Sequence, residues 1–223
     1  MKRESLAALC AAIALCSPIA AVELGMSVGR DGTTLAAVPF ESQPLGVTAS
    51  CGLRSGDHFV LRLKAGYGVL FRRQGTVHYT FDIIDDTRLD ALRVQAAPCA
   101  KADLPSLPIY VQAGLGCGFH MNWVFQKSKE LEQGYASRVR VRGLDATALL
   151  TLGIRVNPRL SLELGTERLL ADWSLTTRQN YTWDSGSQLY LGVSRTSGTD
   201  LNWNSVTEPG YAVGFVWELS GTR

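Results

Sequence analysis

A chain of 223 residues with 46% hydrophobic and 19% charged residues, a net charge of +2 and a mean hydropathy of +0.04 suits either a water-soluble domain or a membrane barrel, whose apolar surface occupies alternate positions only. It excludes a helical membrane protein, because beyond the N-terminus no run approaches the roughly 18 apolar residues a spanning helix needs. Near-neutrality also removes any global electrostatic case for nucleic acid as a partner.

In chain order, Met1, Lys2 and Arg3 precede an apolar run from Leu6 to Cys16 and then Ser17, Pro18, Ile19, Ala20 and Ala21. This reads as a secretory signal over 1–21, with the functional domain over 22–223. Cys10 and Cys16 open a lipoprotein alternative, against which each is preceded by Leu rather than a small residue. Beyond the signal stand Cys51, Cys99 and Cys117, an odd set without metal-ligand spacing, so no metal site and no cofactor are expected. Cys51 and Cys117 fall on apolar faces and read as small hydrophobes.

Strict alternation of apolar with small or polar residues predicts strands over 22–29, 45–53 and 59–71, then a fourth over 89–97 followed by a turn region over 98–108. The signal weakens over 72–88, which is expected to be an outer loop or strand extension. The clearest strand covers 109–123, where Ile109, Val111, Ala113, Leu115, Cys117, Phe119, Met121 and Trp123 share one face against Tyr110, Gln112, Gly114, Gly116, Gly118, His120 and Asn122 on the other. It exceeds the 5 to 6 residues or so of an ordinary soluble strand and suits a tilted membrane strand of about 9 to 11. A charged loop is expected over 126–137. Next come Val139 and Val141 between Arg138, Arg140 and Arg142, a phase shift at Gly143 attributed to a bulge, and an apolar stripe from Leu144 to Val156. The three arginines read first as solvated strand positions above the membrane, with holders of lipid phosphates near the outer rim as the alternative. After the tight turn at Asn157, Pro158 and Arg159, alternation restarts from Leu160. A polar segment over 171–209 has room for an outer hairpin near 187–195, and an aromatic strand over 211–219 closes the chain.

The pattern predicts an all-β fold, a transmembrane antiparallel up-and-down β-barrel of about eight strands with short periplasmic turns and long extracellular loops. A lipocalin-like soluble barrel shares strand number and secretion, but would turn its large apolar face inward. Glycines crowd the opposite face, among them Gly25, Gly66, Gly114, Gly116, Gly118 and Gly165, and a narrow barrel needs small residues inside. Tyr67, Phe71, Trp123, Phe125, Tyr211 and Trp217 are candidates for interfacial girdles.

On this reading Arg62, Lys64, Arg93, Arg155, Glu163 and Glu218 face the lumen and are candidates for a salt-bridge plug or gate. Tyr110, His120, Asn122 and Leu149 are candidates for lining its upper part. No Ser, His and acid grouping has a spacing that supports catalysis, so no enzyme is expected.

The segments PIYVQAGLGCGF over 108–119, NPRLSLELG over 157–165 and the aromatic terminal strand resemble small outer-membrane barrels of the OmpW type, within the wider OmpA and OmpX-like group. The ending Ser220, Gly221, Thr222 and Arg223 departs from the usual aromatic C-terminus of that group. The resemblance implies a porin-like channel in the bacterial outer membrane that passes small, often hydrophobic molecules. The partners it implies are membrane lipid and an unidentified solute. The alternative is an adhesin or structural barrel whose outer loops bind an extracellular ligand.

Overall fold

Residues 21–30, 45–78, 81–129, 133–184, 190–202 and 209–219 are described by a computed structural model, and the expected signal segment lies outside them apart from Ala21. Nine strands follow: β1 (Ala21–Arg30), β2 (Leu45–Ser55), β3 (Phe59–His78), β4 (Phe81–Asp103), β5 (Ile109–Lys129), β6 (Gln133–Arg155), β7 (Leu160–Asp184), β8 (Tyr190–Asn202) and β9 (Gly210–Leu219). Each pairs antiparallel with its neighbour. The ring closes because β6 also pairs with β7, and β9 pairs with both β7 and β1.

The lower part of β7, from Leu160 to Glu167, pairs with β9, and its upper part, from Asp172 to Trp183, pairs with β8. β8 and β9 are therefore successive parts of one stave, and the barrel has eight staves in all. The hairpin expected near 187–195 falls partly on residues 185–189, outside the described set together with Trp203; residues 190–195 belong to β8, which pairs with β7.

Stagger sets the bore. From Leu45 the paired positions run through Arg30, Tyr211, Thr166, Leu150, Ala113, Ala100 and Phe59, and return to β2 at Ser55, ten residues along from the start. Eight staves with that offset tilt by about 40 to 45° and leave an interior just wide enough for side chains. At about 3.3 Å per residue, the 25 residues of β7 extend roughly 80 Å, or about 60 Å along the barrel axis. An apolar band needs only about 25 Å of that.

The expected elements are mostly longer than their sequence signals. β4 starts at Phe81 and passes through Pro98 to Asp103, so the turn is confined to 104–108. β5 and β6 run into the expected charged loop, leaving only 130–132 outside the described residues.

The expected bulge at Gly143 is absent. Burial alternates without a break along β6, with Val139, Val141, Gly143, Asp145, Thr147, Leu149, Thr151 and Gly153 all inward. The register shift lies in β7 instead, where Ala146 faces Ala171 but Thr147 faces Leu169. What changes at Gly143 is the surroundings. Below it the outward residues meet lipid and are apolar; above it they meet water and are Arg142, Arg140 and Arg138, while Val139 and Val141 turn inward.

Candidate functional site

Outward positions carry the large apolar side chains: Leu144, Leu150, Leu152, Ile154, Leu162, Leu164, Phe215 and Trp217 are each at least 42% exposed. Inward positions are buried and polar: Glu23, Arg62, Arg93, Lys101, Gln112, His120, Asn122 and Asp145 are each at most 7% exposed. That arrangement is the reverse of a soluble barrel and rules out the lipocalin-like alternative. Along β6 the outward apolar run from Leu144 to Val156 extends about 40 Å, or about 29 Å along the axis, close to the thickness of a hydrocarbon core.

Two tiers of ion pairs fill the bore. In the lower tier, Arg62 donates to Glu163 through Nη1 (2.5 Å) and Nη2 (2.8 Å) and reaches Glu23 Oε2 at 3.5 Å. Tyr110 Oη donates to Glu163 Oε1 (2.7 Å), and Lys101 Nζ donates to Glu23 Oε1 (2.9 Å) while lying 4.3 Å from the centre of the Tyr110 ring. The ring has room because position 153 is glycine: a Cβ there would fall 2.1 Å from Tyr110 Cζ.

In the upper tier Lys64 pairs with Glu167. Arg93 spans Glu167 Oε2 (2.7 Å) and both oxygens of Asp145 (Nε to Oδ2 3.0 Å, Nη2 to Oδ1 2.8 Å). Gln95 completes this tier: with its amide turned to suit its neighbours, the nitrogen donates to Glu167 (3.2 Å) and the oxygen accepts from Arg93 (3.0 Å) and from Thr147 Oγ1 (2.6 Å).

Four cations (Arg62, Lys64, Arg93, Lys101) thus meet four carboxylates (Glu23, Asp145, Glu163, Glu167). β3 and β7 stand four staves apart in either direction round the ring, so Arg62–Glu163 and Lys64–Glu167 cross its full diameter. Such a balance is what a low-dielectric surround demands, since an unpaired charge there costs several kcal/mol.

Above the tiers His120 stands between Asp145 (Nδ1, 3.4 Å) and Asp172 (Nε2, 3.6 Å), with Asn122 a step higher. Higher still, Leu89, Val124, Val139 and Val141 pack together inside the barrel, with Leu70 against them, as an apolar cap.

Of the residues expected in the plug, Arg62, Lys64, Arg93 and Glu163 form it. Arg155 and Glu218 do not. They stand at the periplasmic mouth, where Arg155 pairs with Asp103 (2.6 Å) and Glu218 with Arg54 (3.1 Å), all four partly exposed. Their strands end there, so the stagger carries them below the lower tier.

His120 and Asn122 line the upper lumen as expected, but Tyr110 and Leu149 do not. Tyr110 is the second residue of a strand rising from the periplasmic end and belongs to the lower tier; Leu149 packs lower too, with Ala97 and Cys99. Lys101, Asp145 and Glu167 were missed. Extending the alternation by a few residues finds Lys101, which shares a face with Arg93, and Glu167, which shares one with Glu163; Asp145 already lies within the stripe from Leu144 to Val156, on its inward face.

Of the expected girdle, Trp123 and Phe125 stand at the upper edge with Trp173, and Trp217 is near the lower end. Tyr211 faces lipid in mid-barrel, Tyr67 donates to Asp90 (2.6 Å), and Phe71 lies outside the side chains described. Cys51, Cys99 and Cys117 are free thiols.

A closed eight-stave ring with apolar residues outward and a paired polar interior defines a small outer-membrane β-barrel. Among solved structures the chain is similar to a major outer membrane protein from Thermus thermophilus (TM-score 0.44, 13% identity, covering 89% of this chain and 98% of that one). It is also similar to Ail, the attachment invasion locus protein of Yersinia pestis (TM-score 0.38, 10% identity, 89% and 97%). A third is Neisserial surface protein A (TM-score 0.35, 14% identity, 90% and 96%). No protein-family model matches the sequence, and no curated protein matches it.

Proposed function

We propose that this barrel is closed at rest and works as a surface scaffold, with the tall hairpins β3–β4, β5–β6 and β7–β8 presenting an extracellular face to a partner. The observation that carries this is the pair of diametric bridges, Arg62–Glu163 and Lys64–Glu167, in a bore only wide enough for side chains. The heights support it too: about half the length of the tallest strand exceeds what the apolar band needs.

Passage of small, possibly hydrophobic molecules, as an OmpW-type porin-like channel would allow, is the second reading. It is favoured by a lumen cavity walled by Gly29, Gly46, Gly66 and Gly165 beside Lys64 and Glu167. At about 80 Å³ it is far below the 300 Å³ or more of a typical ligand pocket. Passage through the bore on this reading requires both tiers to open.

Recording in planar bilayers separates the two. The purified, heat-modifiable barrel is expected to show no steady unitary current, and vesicles containing it are expected not to swell in a small sugar. A stable ohmic conductance in the unmodified protein would overturn the closed-scaffold reading in favour of the channel.

A further inference from the structure

We infer that the outward face of β4–β6, just above the apolar belt, is a binding site for the phosphate groups of an outer-leaflet glycolipid. Arg138, Arg140 and Arg142 point outward at alternate positions of β6, so their guanidinium stems rise in a column with about 7 Å between neighbours. Pairing sets Phe125 beside Arg138, Trp123 beside Arg140 and Met121 beside Arg142, and places Arg88 on the far side of Phe125. The four arginines, Trp123 and Phe125, with Asp90 and Thr177, line an open groove of about 770 Å³.

Three features point to lipid phosphate rather than to solvated strand positions. The first is height: allowing for the stagger, Arg142 stands level with Trp123 and just above Leu144 and Trp173, where the hydrocarbon of the outer leaflet gives way to headgroups. The second is charge. Asp90, the acid in the groove, is engaged by Arg88 (2.8 and 2.9 Å) and by Tyr67, while among the described residues neither Arg140 nor Arg142 has an ion-pair or hydrogen-bond partner. The third is the form of the surface, in which aromatic rings interleave with guanidinium groups and Arg138 Cζ lies 5.6 Å from the centre of the Phe125 ring. An amphiphile matches that mixture, with its phosphates on the guanidinium forks and its first acyl carbons on Trp123 and Leu144.

The test uses the full barrel in detergent and lipid A carrying two phosphates, with binding read by co-elution and titration. Replacing two of the arginines, R140Q with R142Q, is expected to weaken binding about 25-fold, at about fivefold for each charge removed near an anionic lipid surface. R140K with R142K is expected to keep most of it, and R159Q at the periplasmic turn all of it. Dephosphorylated lipid A is expected to bind the unmodified barrel at least tenfold more weakly. Equal binding by R140Q/R142Q and the unmodified barrel overturns the inference. So does equal binding of the dephosphorylated lipid, and so does competition by millimolar inorganic phosphate, which would mark a free-anion site. If the double variant fails to show heat-modifiable mobility, R142Q alone is judged by the same criterion at fivefold.

Discussion

Glu163 is the residue on which the lower tier turns, and Glu163→Gln tests whether that tier holds the barrel shut. The carboxylate accepts three hydrogen bonds, two from Arg62 and one from Tyr110. Glutamine keeps the shape but loses the charge, and its amide nitrogen would oppose an Arg62 Nη. Arg62 would then keep one neutral hydrogen bond to the amide oxygen and, as its remaining carboxylate partner, Glu23 at 3.5 Å, whose other oxygen already serves Lys101. Arg62 and Glu23 are both almost fully buried, so water cannot take the place of the lost partner. Removing one member of a buried pair costs about 3 to 5 kcal/mol. The matching change at the mouth, Asp103→Asn, breaks a pair exposed by 34% and 45% and is expected to cost at most about 1 kcal/mol. Equilibrium unfolding in denaturant from lipid vesicles measures both. The double variant R62Q/E163Q should recover part of the loss, because it removes the stranded cation as well. Equal costs for E163Q and D103N, or a cost below about 1 kcal/mol for E163Q, would refute the claim that the tier is a dry, coupled plug.

Gly153→Ala places a methyl 2.1 Å from Tyr110 Cζ, so the ring must leave its seat; a loss of about 1 to 3 kcal/mol in the same unfolding assay is expected, against a smaller loss for Tyr110→Phe, which keeps the ring in place. Leu150→Arg puts a charge at mid-belt and is expected to cost about 2 to 4 kcal/mol in vesicle refolding, whereas Thr177→Arg, above the belt, should cost close to nothing. For orientation, a cysteine at Lys129 should react with an impermeant reagent on intact cells, and one at Asn157 only after the envelope is opened. Labelling in the reverse order would invert the barrel.

The eight-stave architecture was legible because alternation survives wherever one face meets lipid: 109–123, 59–71 and 211–219 stand out for that reason. It fades over 72–88 and 126–137, where the staves rise into water and neither face must be apolar, so strands read there as loops. Arg62, Lys64 and Glu163 could be placed in the lumen from phase alone. Their partners required register, because nothing local shows that Glu163 lies diametrically across from Arg62 or that Tyr110 sits low. The supposed bulge at Gly143 has the same origin. Valine and arginine exchange faces there without any change of backbone phase, and pattern alone does not distinguish a shifted strand from a changed solvent.

That exchange also bears on how the bore is sealed. Within the membrane the barrel wall is surrounded by hydrocarbon, so an apolar filling would face no competing demand for the inside, yet the chain fills this part mainly with four cations balanced by four carboxylates, beside the small cluster of Ala97, Cys99 and Leu149, and puts a second apolar cluster, Leu89, Val124, Val139 and Val141, above the belt. Outward apolar residues are required below that height to meet lipid, and inward apolar residues as well would leave strands apolar on both faces, without the alternation that sets register. Charged inward residues remove that ambiguity, because a one-residue slip would turn Arg62 and Glu163 to lipid. Above the belt the outer face is charged, and apolar inward residues then serve the same purpose. The two seals are thus the same register device written in opposite polarity on either side of the membrane edge. On the proposed reading the closed bore follows from specifying the strands, and the outer face above that edge is the surface left to carry function.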